Sequence, residues 1–507
     1  MAPDEHEPQS SAIIPPGTIR TVAIIGAGLS GLVSAVHLLR AGIDITVFER
    51  ADDVGGAWKY SSQPDRDPPF PSLQPPIPDW AELERLQAEG LSAEEAALRF
   101  APPGPVYASM KSRGSKVCMR TSLMNWPEGS GEPLDHGEVL EYLRDVARIH
   151  GVQDKVRFRT RVEAVSKEGT GQWHVRTSRL VTTETSYALE GETWRFDAVV
   201  VATGRYADPR VPDVPGLATW KRMFPDRVMH AKQYRTPTCF RGKVVLIIGA
   251  FISAMEIASE LTEHGATVYQ SANDTKVDFR KHKVAMVVEF TTFAHAQDEP
   301  EPGPQLLDDN SPIPGQAVLR DGRVLEDIHH IIIATGYLTT YPFLGADLEQ
   351  PLTSLQDADD KVVTTADGRT VHNLHEDIFY VPDPTLAFIG VTHFASTFSL
   401  YDFQAQVLAV VFAGRVRLPS KASMTAEQRR RKSRVLPGTI LNSIFLLDDV
   451  VIRRLLDWVN EDLLAGGFEP LSGPDVEWWA AFKNEREGAR SLLAVLQDNY
   501  CHNQPIV

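Results

Sequence analysis

Apolar positions in this chain gather into short runs that alternate with amphipathic stretches. The run TVAII, starting at Thr21, leads through a glycine-rich turn into LVSAVHLLRAG, whose apolar residues recur at helical spacing, and then into a second run, ITVF. The same order returns later as KVVLII, a turn, a helical stretch and ATVYQ. Between the two, KVRFRTRVEAV, WHVRTS and WRFDAVVVATG read as strands of an antiparallel set that feeds back into the sheet. HHIIIATGY reads as a buried strand returning the chain to the first unit. A few short strands follow Pro342, and the remainder from about Asp402 onward is mostly helical.

The two turns carry the chemistry. The first is G-x-G-x-x-G at Gly26, Gly28 and Gly31, placed after a strand and before a helix, so that a pyrophosphate can rest on the helix N-terminus. The next strand ends at Glu49, where a carboxylate can accept hydrogen bonds from a ribose hydroxyl and disfavours a 2′-phosphate. The second turn, GAFISA, keeps Gly249 and has Ser253 and Ala254 after it, but carries Phe251 in place of the middle glycine. Each unit is followed by an ATG tripeptide, the first contributing Thr203 and Gly204. The expected fold is therefore α/β: two doubly wound Rossmann-like dinucleotide-binding domains, the second inserted into the first, plus a helical C-terminal tail. The expected boundaries are a disordered tail over 1–18, a flavin domain over 19–210 and 331–507, and a nicotinamide domain over 211–330. Two dinucleotides held face to face suggest FAD and a nicotinamide nucleotide.

Composition narrows the class further. A chain of 507 residues, 43% hydrophobic and 23% charged, has material for two or three domains. A net charge of −16 argues against a nucleic-acid surface, which needs clustered Lys and Arg. Cys118, Cys239 and Cys501 are far apart with no C-x-x-C, which argues against a dithiol active site and against a metal cage. The N-terminus is acidic and proline-rich, unlike a signal peptide, and no apolar run approaches the roughly 18 residues of a membrane span. The expectation is a cytoplasmic enzyme acting on a small molecule and O2, with a homodimer as the candidate assembly.

With these motifs in order, the chain resembles the flavin-containing monooxygenase family over most of residues 20–420. Glu49 opens ERADDVGGAW, similar to the family's acid followed by G-G-x-W, here Gly55, Gly56 and Trp58. ATG at Ala202–Gly204 continues through prolines to Pro215–Gly216. FPDRVMHAKQY looks like the family's identifying motif through Phe224, His230 and Tyr234, with Asp226 where the family has glycine. ATGY at Ala334–Tyr337 precedes YPFL, and FQAQVLAVVFAGRVRLPS is similar to the helix that closes over the flavin. The resemblance implies FAD reduced by NADPH, a C4a-hydroperoxyflavin, and transfer of one oxygen atom to nitrogen or sulfur of a small organic substrate. It also implies Gln404 as a flavin-side contact from the late helix.

The departures lie mainly on the nicotinamide side. Phe251 either turns away from the pyrophosphate site or fills it. Where the family usually has an arginine for the 2′-phosphate this chain has Asn273, so Lys276, Arg280, Lys281 or Lys283 is left to supply the charge, unless that run is simply a solvated surface. The strand before it ends in Gln270, which does not repel a phosphate. Arg113 stands where the family has the asparagine that contacts the flavin peroxide and NADP, which makes it the second catalytic candidate. Its permanent charge favours a nucleophilic peroxide and hence Baeyer–Villiger attack on a carbonyl, unless it pairs with a surface carboxylate. Tyr234, where Baeyer–Villiger enzymes commonly carry tryptophan, favours heteroatom oxygenation. A third reading is an FAD enzyme with impaired NADPH use, reduced by its substrate or redox-neutral. The segment 63–105, proline-rich at both ends with a helical middle, is either a lid over the site or a surface excursion packed on the flavin domain. As a lid it would offer Phe70, Trp80, Phe100 and Tyr107 as an aromatic wall facing Phe394, Phe398 and Tyr401.

Overall fold

The structure is a computed structural model that describes residues 14–169, 171–184, 186–271, 283–284, 287–292, 303–395, 397–434, 440–444 and 446–488. In chain order, β1 (Thr21–Ile25), α1 (Leu29–Arg40) and β2 (Asp44–Phe48) come first. They are followed by α2 (His136–Ile149), β3 (Val156–Arg157) and β4 (Ala198–Val201). A second series comprises β5 (Val228–His230), β6 (Val244–Ile248), α3 (Ile252–Glu263), β7 (Thr267–Ser271), β8 (Lys283–Val284) and β9 (His330–Ile333). The chain then gives β10 (Leu374–His375), β11 (Phe379–Tyr380), β12 (Leu386–Phe388), α4 (Phe398–Phe412), α5 (Lys421–Arg434), α6 (Asp448–Ala465) and α7 (Val476–Gly488).

The first sheet has the order β10-β11-β12-β4-β1-β2-β3, parallel from β12 onward. Alternation along its central strands explains the layers. Val22, Ile24, Ala198 and Val200 face a core shared with α1, α2, α4 and α6. Ala23, Ile25, Val199 and Val201 face the antiparallel meander Thr160–Lys167, Trp173–Thr182 and Tyr187–Phe196. The second sheet, β8-β7-β6-β9-β5, is parallel throughout.

Two expectations need correction. The strand His330–Ile333 belongs to the second sheet, wedged between β6 and β5, so the chain returns to the first domain only after it. Its four residues are buried because they form the middle of that sheet. Of the expected tail, residues 1–13 lie outside the described residues, while Ile14 packs against the main core and Pro16 abuts Gly414. The C-terminal region is helical as expected, and its first helix is part of the core: every residue of α4 from Asp402 to Phe412 is buried, and Asp402 accepts a hydrogen bond of 2.7 Å from His37 on α1.

The segment 63–105 forms two helices, Glu82–Ala88 and Ala93–Phe100, the second capped by Ser92 and Glu95 in a capping box. Leu83, Ala96 and Phe100 bury against Leu180 and Tyr187 of the meander, and the Tyr187 hydroxyl donates to the Leu83 carbonyl at 2.8 Å. One side chain ties both ends: Arg235 Nη2 donates to the carbonyls of Gln63 at 3.4 Å and Gly104 at 3.2 Å. Lys232 adds a buried ion pair to Asp65, and Lys221 pairs with Asp67 at 2.6 Å.

Candidate active site

The first glycine turn is built by exclusion. Gly26 has φ +103°, and a Cβ there would stand 2.6 Å from the carbonyl oxygen of Ala202 in the first ATG. A Cβ on Gly31 would lie 1.9 Å from the Gly26 carbonyl oxygen. Gly28 caps α1 with extended backbone and no side-chain bond, leaving the helix N–H groups open toward the cavity, and it faces Gly56 across a gap that a side chain on Gly56 would close to 2.9 Å. Glu49, 92% buried at the end of β2, accepts from Ala27 N at 2.7 Å and Ala51 N at 2.8 Å. A carboxylate has about four acceptor positions, so capacity remains for a ribose hydroxyl. Trp58 stands edge-on to Phe398 with ring centroids 5.8 Å apart, and Thr203 and Gly204 complete the same wall.

The second turn repeats this construction. Gly249 has φ +138°, and a Cβ there would meet the carbonyl oxygen of Ala334, in the second ATG, at 2.3 Å. Phe251 has the cap position and extended backbone that Gly28 has in the first unit. Its ring packs on Phe394 of the first domain, centroids 4.5 Å apart, so it neither turns away nor remains within its own domain. Ser253 is exposed on the first turn of α3, and Ala254 is fully buried beneath it. Gln270 donates to the Gly249 carbonyl at 3.0 Å, which explains why no acid stands there. Lys276, with Asn273, Arg280 and Lys281, lies outside the described residues.

Both turns open onto one cavity of 1820 Å³. Ligand pockets for single small molecules are usually about 300–1,000 Å³, so this one has room for a dinucleotide and more. Arg113 lines it and pairs through Nε with Glu256 of α3 at 2.5 Å. The Tyr107 hydroxyl donates to the same carboxylate at 3.0 Å, while the Tyr234 hydroxyl donates to Glu260, one turn on, at 2.6 Å. Burial and these carboxylates push both phenols up, so they remain donors at any ordinary pH. Gln404 does not reach the cavity. It is fully buried in α4, and its Oε1 accepts from Gly390 N at 3.5 Å, so Gly390 and not Gln404 forms the wall. The family spacing identified the helix, but helical periodicity alone did not say which turn faces the flavin.

The expected aromatic wall divides. Trp80, Phe100, Phe394, Phe398 and Tyr401 line the cavity. Phe70 instead packs against the core of the second domain under Lys221, and Tyr107 is buried with Tyr234. His230 is fully buried; its Nδ1 accepts from Lys232 N at 3.1 Å, and desolvation pulls its pKa down to about 3. It is a neutral acceptor at the end of β5, its ring edge-on to Tyr337 with centroids 5.3 Å apart. Sequence reasoning allowed for a carboxylate partner of Arg113 without identifying Glu256, and it missed the Arg235 clamp and the approach of Phe394 to Phe251, because each joins residues remote in sequence.

Two Rossmann-like sheets, each with its glycine turn against an ATG carbonyl and both facing one cavity, define a two-dinucleotide flavoprotein. The chain belongs to the flavin-containing monooxygenases: the flavin-binding monooxygenase-like family matches residues 103–281 and 313–443, and an NAD(P)-binding Rossmann-like domain matches 24–71. It is 34% identical to the flavin-containing monooxygenase ustF2 of Aspergillus flavus, over 94% of this chain and 99% of that one. It is 29% identical to the flavin-containing monooxygenase iboF of Amanita muscaria, over 91% and 92%. Its fold matches that of the S-allyl-L-cysteine S-oxygenase of Allium sativum with a TM-score of 0.64 at 24% identity, over 93% of each chain. The protein is thus a flavin-dependent monooxygenase whose cofactors are FAD and NADPH. Among the described residues no helix is long and apolar enough to cross a membrane.

Proposed function

We propose that this enzyme transfers one oxygen atom from O2 to a nitrogen or sulfur of a small organic substrate. The observation that carries the reading is the Arg113–Glu256 pair: the one residue whose charge pointed toward carbonyl chemistry has its charge met by a carboxylate. Tyr234, held by Glu260, retains the side chain associated with heteroatom oxygenation.

The cradle fits FAD, because Gly28 and Gly56 leave a gap that any side chain would fill and the α1 N-terminus is uncapped. Gly26, Gly28, Gly31, Gly56, Thr203 and Gly204 would hold its pyrophosphate side, Glu49 its ribose, and Trp58 its ring side. Gly249, Ser253 and Ala254 would hold NADPH. When bound, FAD supplies hydride acceptance and O2 activation. The protein would orient and shield: Trp58, Phe394, Phe398 and Tyr401 line the cavity and would exclude water there. Arg113, fixed by Glu256 and lining the cavity, presents its remaining N–H groups as donors.

The test is anaerobic reduction by NADPH, then mixing with oxygen and a panel of tertiary amines, sulfides and cyclic ketones. Oxygenation of amines or sulfides with ketones untouched is expected. Lactone formation from the ketones would replace this reading with the Baeyer–Villiger one.

A further inference from the structure

Most cations on the wall of the large cavity already have a partner or face water. Arg113 pairs with Glu256, Arg161 with Glu163 and Lys232 with Asp65, while Arg50, Lys111 and Arg159 are exposed. Arg205 is different. It follows the first ATG directly, lines the cavity beside Gly390 and Tyr401, and is only partly exposed. Its one backbone hydrogen bond reaches the Val391 carbonyl at a marginal 3.5 Å. Around it stand the phenol side chains of Tyr206, Tyr341 and Tyr401; it shares a side-chain hydrogen bond with Tyr206, and its guanidinium lies 5.8 Å from the Tyr206 ring centroid. Among the described residues no carboxylate is within ion-pair distance of it.

A guanidinium taken out of water without a counter-ion is costly, so this position is built to meet an anion. The pyrophosphate of FAD would be met by the N–H groups of the α1 N-terminus, with Gly204 beside Arg205, and that of NADPH by the turn at Gly249, so neither requires the Arg205 charge. The remaining anion is one that the substrate brings. We propose that Arg205 determines specificity by pairing with a carboxylate of the substrate. The substrate class is then a bulky or aromatic sulfide or amine bearing a carboxylate, its apolar part set against Phe394, Phe398 and Tyr401. This inference rests on the heteroatom reading above.

The experiment titrates the FAD- and NADP-loaded enzyme with para-(methylthio)benzoate and with its methyl ester, following the perturbation of the flavin absorbance. The acid is expected to bind more tightly than the ester by about 10- to 100-fold, the scale of a hydrogen bond to a charged group. Arg205→Gln should abolish that preference while leaving ester affinity, FAD content and NADP affinity unchanged, and Arg205→Lys should restore part of it. Equal affinity of the wild-type enzyme for acid and ester, or failure to bind the acid at millimolar concentration, would overturn the proposal. So would an equal loss of both ligands in Arg205→Gln, or a loss of FAD or NADP instead. Because binding is read without turnover, an enzyme inactive toward nitrogen and sulfur would sink the reaction reading and leave this measurement interpretable.

Discussion

At the scale of single residues, the glycine turns were legible because their chemistry is local. A strand, a tight turn and a helix follow one another within a dozen positions, and for Gly26, Gly31 and Gly249 the reason is a distance too short for a Cβ. Phe251 was equally visible as a departure, but its consequence was not, since Phe394 approaches it from the other end of the chain. Phe394 holds φ +60°, a left-handed backbone uncommon for a bulky residue, in a turn that brings its ring against Phe251. The pair stands in the approach to the pyrophosphate position of the second turn. Phe251→Gly should therefore tighten NADP binding several-fold, while the lost ring contact lowers stability by about 1 kcal/mol. Titration of the FAD-loaded variant with NADP reads the first effect and thermal unfolding the second. Unchanged NADP affinity would mean that the ring lies outside the nucleotide's path.

At the scale of elements, the helical middle of segment 63–105 could be read from its periodicity, whereas its attachment could not. A pattern shows which face is apolar, not which surface accepts it, and here the acceptor is the meander through Leu180 and Tyr187. The anchoring is economical, with Arg235 holding Gln63 at one end and Gly104 at the other, and desolvation of its partly buried guanidinium is compensated by the carbonyls of Lys232 and Tyr234, each at 2.8 Å. Arg235→Met keeps much of the side-chain volume and removes all four bonds. The segment should then exchange its amide hydrogens at least tenfold faster, the effect of losing roughly 1.4 kcal/mol of local stability. Protection of β1 and β6 should stay unchanged. Hydrogen-exchange mass spectrometry resolves the two. Faster exchange throughout the chain would show that Arg235 supports the whole fold rather than this segment.

For the whole molecule, the paired sheets follow from the repeated strand–turn–helix order. The misplaced strand His330–Ile333 shows the limit, because a fully buried strand with three consecutive isoleucines fits the interior of either sheet equally well. That packing leaves a property no motif announces: the chain buries histidines in both domains without anionic partners strong enough to keep them charged. Desolvation pulls His230 down to about 3 and both His330 and His372 to about 4, and holds His393 well below its ordinary value. In the unfolded chain all four titrate near 6.5, so below that pH the unfolded state binds about four more protons and native stability falls as the pH falls. Glu349 opposes them: burial raises its pKa to about 7, so between about pH 7 and 4.5 the native state holds one proton that the unfolded chain has released. The net difference is about three protons, equivalent to roughly 4 kcal/mol per pH unit near pH 5.5. Denaturant unfolding from pH 7.5 to 5 should show a plateau near neutrality and a steep loss below 6.5. Glu349→Gln should make that loss steeper by about one proton, since it removes the opposing term. A stability that stays level down to pH 5 would mean that these imidazoles find protonation partners in solution, and that the interior around them admits water.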